Sequence, residues 1–93
     1  MKRDFSKIRQ LLESQETFPM EYVHKVIARN TPAFLDSLSA LEGRFPLLRR
    51  GGMRPSASEV HLSVTLILHA STAEEVIRLL EATEELCDLV MVL

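Results

Sequence analysis

Asn30-Thr31-Pro32-Ala33-Phe34-Leu35 is the stretch of this chain whose residue types point most directly at chemistry. Threonine followed by proline suits the start of a helix. The hydroxyl can cap an open amide, and proline surrenders an N–H that would have no partner there. The remaining amides, backed by the positive end of the helix dipole, attract a carboxylate or a phosphate. Arg29, Asn30, Thr31, Ala33, Phe34 and Leu35 are therefore the candidate ligand-binding residues. A small carboxylate would rest on the amides of Ala33, Phe34 and Leu35. The same residues also make an ordinary capped helix start, since every helix has an N-terminus.

A second candidate is basic. Arg44, Arg49, Arg50 and Arg54 fall within eleven residues around Gly51-Gly52. Such a loop can meet phosphate, RNA or an acidic partner, and it can equally be a solvated hairpin. The neighbouring strand offers His61, Ser63, Thr65 and Ile67 rather than the stacking aromatics of an RNA-binding sheet, so nucleic acid is disfavoured. Arg49, Arg50, Arg54 and Ile67 are thus candidate partner-binding residues. Glu74, Glu75, Glu81, Glu84 and Glu85 give a later segment the opposite charge, which would suit head-to-tail self-association.

Other chemistries lack their residues. His61 and His69 would sit roughly 26 Å apart on a strand at about 3.3 Å per residue, too far to share an ion. With His24 elsewhere and a single Cys87, no metal or cofactor site is expected. Ser63 and Thr65 beside His61 share a strand face and do not make a triad. No catalytic residues are assigned, and an enzyme is not expected.

Composition agrees with one small domain. Of the 93 residues, 46% are hydrophobic and 26% charged, and the net charge of −2 excludes a generally basic nucleic-acid binder. No apolar run approaches the roughly 20 residues of a membrane span, and no secretory signal is evident. One cysteine cannot form a disulfide within the chain, so a cytoplasmic protein is expected.

These candidates need elements to position them. Phe5, Ile8, Leu11 and Leu12 recur at helical spacing in an amphipathic opening segment, residues 1–17, with Lys2, Arg3, Lys7 and Arg9 on its remaining surface. A single domain spans residues 18–93. A strand runs from about Met20 to Ala28, with Tyr22, His24 and Val26 on one face and Val23, Lys25 and Ile27 on the other. Apolar residues on both faces suggest a central strand covered on both sides. A helix follows Thr31, carries Phe34, Leu35, Leu38 and Leu41 in one stripe, and stops near Gly43. Leu47 and Leu48 enter a second strand, with Arg49-Arg50-Gly51-Gly52 near a turn or bulge. Val60, Leu62, Val64, Leu66 and Leu68 alternate strictly and give the clearest strand. Ser71 and Thr72 open another helix, with Glu74 and Glu75 placed for a capping box, and Val76, Ile77, Leu79, Leu80 and Thr83 facing the sheet. Leu89-Val90-Met91-Val92-Leu93 ends the chain as a strand. This order predicts an α+β, ferredoxin-like βαββαβ sandwich: a four-stranded antiparallel sheet, two helices on one face and a short N-terminal helix. Ile67, Val23, Ile27 and Val92 would leave an apolar strip on the other face. Either the opening helix or a second copy of the chain, in a homodimer, would cover it.

Phe18-Pro19, Tyr22, Lys25-Val26, Ser63-Val64-Thr65 and Met91-Val92-Leu93 resemble, in order and spacing, the YbeD-like family of small bacterial proteins of unknown function. Glu59 stands where that pattern has glycine, His61 where it has tyrosine and Val90 where it has a basic residue. The family is similar in fold to ACT domains, regulatory modules that bind amino acids and control metabolic enzymes. Asn30-Thr31-Pro32-Ala33-Phe34-Leu35 resembles their Asp-x-Pro-Gly-x-Leu ligand turn, with asparagine for aspartate and alanine for glycine. The resemblance implies a regulatory module that senses a small carboxylate or docks on a metabolic enzyme. The alternative is an adaptor that binds RNA or an acidic protein through the arginine hairpin.

Overall fold

Strict alternation makes His61–Ala70 the axis of the molecule. In this strand Leu62, Val64, Leu66, Leu68 and Ala70 are buried on one side, and the residues between them line the other. The computed structural model describes residues 4–93; Met1, Lys2 and Arg3, two of them placed on the polar side of the opening helix by its periodicity, lie outside that range.

In chain order the elements are α1 (Ser6–Gln15), β1 (Met20–Arg29), α2 (Pro32–Arg44), β2 (Leu48–Pro55), β3 (His61–Ala70), α3 (Ala73–Thr83) and β4 (Leu89–Val92). The sheet is antiparallel in the order β2-β3-β1-β4, which is the ferredoxin-like arrangement the order of elements predicts. The Phe18–Pro19 peptide that precedes β1 is cis.

Both main helices begin as their sequences require. At the start of α2, Thr31 Oγ1 accepts a hydrogen bond of 3.1 Å from the Phe34 amide, with Pro32 next in line. At the start of α3, Thr72 and Glu75 complete a reciprocal capping box. Phe34, Leu38 and Leu41 from α2 and Val76, Ile77, Leu79, Leu80 and Thr83 from α3 pack on the buried side of the sheet. Under them lies one polar pair. Thr83 Oγ1 donates to the Leu80 carbonyl at 2.9 Å, so its contact of 3.2 Å with His24 requires the histidine Nε2 to be the donor.

Five sequence expectations need correction. Helix α2 continues through Gly43 to Arg44, with Phe45 as its C-cap. No neighbour crowds Gly43, and nothing there demands the left-handed turn that ends a helix. Strand β1 is central but covered on one side, with Val23 55% exposed on the other. Val60 precedes β3 and is exposed, because the β2–β3 turn occupies that position. Val92 pairs with Val26 and packs toward the core, so it leaves the apolar strip. A register shift between Ile27 and Ala28 hands its place to Val90 and Met91.

The fifth concerns α1. It lies on the helix side rather than over the open sheet face. Phe5 and Leu12 are buried in the common core, Ile8 packs against it, and Arg9 pairs with Glu74 of α3. Leu11, expected in the apolar stripe, is exposed. The open face of the sheet therefore has no cover from α1.

Candidate binding surfaces

The turn between β1 and α2 is held from three sides. The Asn30 amide donates to the Val60 carbonyl and its side chain to the Glu59 carbonyl, which ties it to the β2–β3 turn. The Arg29 amide donates to the Asp88 carbonyl at 2.9 Å. Thr31 Oγ1 donates to Asp88 Oδ2 at 2.6 Å, so a carboxylate of the chain itself sits at this helix start. A second tie comes from the Cys87 amide, which donates to Ser37 Oγ of α2 and fixes the approach of residue 88.

These ties change what the turn can do. Of the three amides expected to cradle a carboxylate, Phe34 is capped by Thr31 Oγ1 and Leu35 donates to the Thr31 carbonyl at 3.1 Å. Arg29, Asn30, Thr31, Ala33, Phe34 and Leu35 are thus brought together, but their polar groups mostly satisfy one another and Asp88. Ligand binding through two of those amides would require breaking internal hydrogen bonds.

The arginines do not act as one patch. Strand β2 alternates across the sheet, and an extra residue at Gly51 shifts its register on β3. Arg49, opposite Ile67, reaches Glu21 at 2.9 Å on the open face. Arg50, opposite Leu66, points to the helix side and makes a forked pair with Glu42 of α2, at 2.7 and 3.0 Å. Arg54, opposite Ser63, returns to the open face. Arg44 stands at the end of α2, 3.9 Å from Glu85. It lines a cleft of about 780 Å³ together with Phe45, Leu47, Leu68, Glu81 and Glu85.

Ile67 lies at the centre of a broader surface. Strand register puts Val23 opposite Ile67 and Ile27 opposite both Ser63 and Met91. Together with Val90 these residues give the open face an aliphatic band, crossed between Val23–Ile67 and Ile27–Met91 by the Lys25–Thr65 pair, in which Val23, Val90 and Met91 are each about half exposed. Gly51 makes room for it: a Cβ there would stand 2.8 Å from Ile67 Cδ1. A shallow depression of about 430 Å³ lies at this end of the face, lined by Ile27, Ser63 and Val90 together with Arg54 and His61. Sequence periodicity pointed to Val23, Ile27 and Ile67; Val90 and Met91 enter through the irregular register of β4, which periodicity does not encode.

The histidines are apart: His24 is buried beside Tyr22 and Thr83, while His61 and His69 stand at opposite ends of β3. Among the described residues no group of three or more His, Cys, Asp or Glu side chains could hold a metal ion. No helix among them is long and apolar enough to cross a membrane.

A family model described as "Protein of unknown function (DUF493)" matches residues 13–93, from within α1 to the last residue. No curated protein matches the chain.

Proposed function

We propose that this chain, which belongs to the family described as a protein of unknown function (DUF493), is a non-enzymatic docking module that binds another protein through the open face of its sheet. Within that family we read it as YbeD-like, a bacterial cytoplasmic regulator of ACT-like design that docks on an enzyme. The aliphatic band of Val23, Ile27, Ile67, Val90 and Met91 carries this reading. A cluster of partly exposed apolar side chains on one face of a sheet is the usual mark of an interface. The ligand-sensing alternative is weaker, because the turn at residues 29–35 uses its amides and the Asp88 carboxylate internally.

Site-specific photo-crosslinking in the parent cell tests the reading. A photoreactive side chain at Ile67 is expected to trap one defined protein adduct, and the same group at Arg78, on the exposed side of α3, is expected to trap none. Adducts from position 78 alone, or from neither position, would overturn it.

A further inference from the structure

Charge separates the two ends of the open face. Glu21 is the sole carboxylate among its strand positions, and it is already engaged by Arg49 at 2.9 Å and faces His69 at 3.9 Å. Lys25, midway along β1, and Arg29 and Arg54, at the other end, have no ion-pair partner among the described residues. The contrast along β2 is direct, since Arg49 and Arg50 each hold a glutamate while Arg54 holds none. Arg54 lines the same depression as Ile27 and Val90.

We infer that the occupant of this face is an acidic segment of another protein, which sets an apolar side chain on Ile27 and Val90 and a carboxylate against Arg54. The inference rests on the docking reading above and adds the chemistry of the partner. An arginine fork at the rim of an apolar depression recognises a carboxylate with geometry as well as charge. A second copy packed face to face with parallel strands would bring two sets of Lys25, Arg29 and Arg54 together, and like charges across an interface are costly; packed antiparallel, it would offer them only Glu21, which Arg49 already holds. RNA would neutralise the charge, but the band is aliphatic and gives bases nothing to stack on.

The test uses the full chain, labelled for backbone-amide NMR. It is titrated with two blocked peptides of equal length carrying leucine at helical spacing, one with glutamate and one with lysine at every other position. Oligouridine is titrated in parallel, and sedimentation velocity reports self-association. Saturable shifts at Ile27, Arg54 and Val90 are expected with the glutamate peptide alone. That affinity should fall as salt rises and weaken about tenfold in Arg54→Gln. Arg49→Gln makes the same change in net charge but lies opposite Ile67, four β3 residues and roughly 13 Å from the Ser63 row of Arg54, so at physiological salt it should change that affinity little. Equal shifts from both peptides would overturn the acidic preference and leave the docking face intact. Shifts from oligouridine alone, concentration-dependent dimerisation through the same residues, or no shift on the face would each overturn the inference. The crosslink from Ile67 decides the broader reading independently.

Discussion

Thr31 and Asp88, fifty-seven positions apart, share a hydrogen bond of 2.6 Å in which the threonine hydroxyl donates to the carboxylate. The same oxygen accepts from the Phe34 amide, so one side chain both caps α2 and anchors the segment entering β4. Replacing Thr31 by alanine removes both bonds and should cost about 1 kcal/mol or somewhat more. Thr31→Ser keeps both groups and should recover most of that loss. Urea unfolding of the two variants measures the difference.

Because Asp88 and the internal caps occupy this helix start, small carboxylates should leave its amides alone. An amide titration with pooled amino acids and carboxylic acids is expected to give no saturable shift from Arg29 to Leu35. Saturable shifts confined to that turn would favour the sensing alternative over docking.

Glu59 adopts a φ of 62°, the left-handed region where a side chain is strained and glycine is not. Glu59→Gly should therefore stabilise the protein by up to about 1 kcal/mol, the released strain exceeding the added freedom of the unfolded chain. A higher urea midpoint with an unchanged slope is the expected result.

Gly51 and Gly52 are adjacent but differ in surroundings. A methyl at position 51 meets Ile67 Cδ1 at 2.8 Å and Thr65 Cγ2 at 3.3 Å, whereas one at 52 meets nothing within 4 Å. The first obstacle is the end of a flexible side chain on a half-open face, so Gly51→Ala should cost under about 1 kcal/mol. Gly52→Ala should be near neutral. The distinguishing readout is the Ile67 methyl resonance, which should move in the first variant and stay in the second.

Tyr22 is the chain's one tyrosine, and burial pushes its phenol above the ordinary value of 10.0 by disfavouring the charged form. The folded protein thus holds that proton more tightly than the unfolded chain. This contribution to stability is complete below pH 10 and is lost as pH rises through the folded pKa. Ultraviolet titration should place the phenolate midpoint above 10.0 in the native protein and return it toward that value in urea.

Local signals of the fold were legible where one segment supplied all the information. The alternation of Leu62 to Leu68, the Thr31-Pro32 start and the Thr72/Glu75 box each depend on neighbours in sequence, and each appears as expected. What escaped depends on pairing between distant segments. The side of the sheet that Arg50 takes follows from its register on β3, and its partner Glu42 comes from another element. Val92 and Val90 exchange faces through a shift in β4 that no periodicity records. The Asp88 carboxylate reaches Thr31 only because β4 lies beside β1, so the filled state of that helix start had no sequence signal at all.

The bulge in β2 also governs how the sheet ends. A flat sheet with an apolar face and a free edge invites other strands to add to it, which is the route to fibrous aggregates. Here one edge carries Arg49 and Arg50, a break at Gly51 and a terminal Pro55 that has no N–H to offer. The opposite edge, β4, is four residues long. Both borders thus discourage growth of the sheet by strand addition, so the molecule can keep an aliphatic face in water without becoming a template for its own polymerisation.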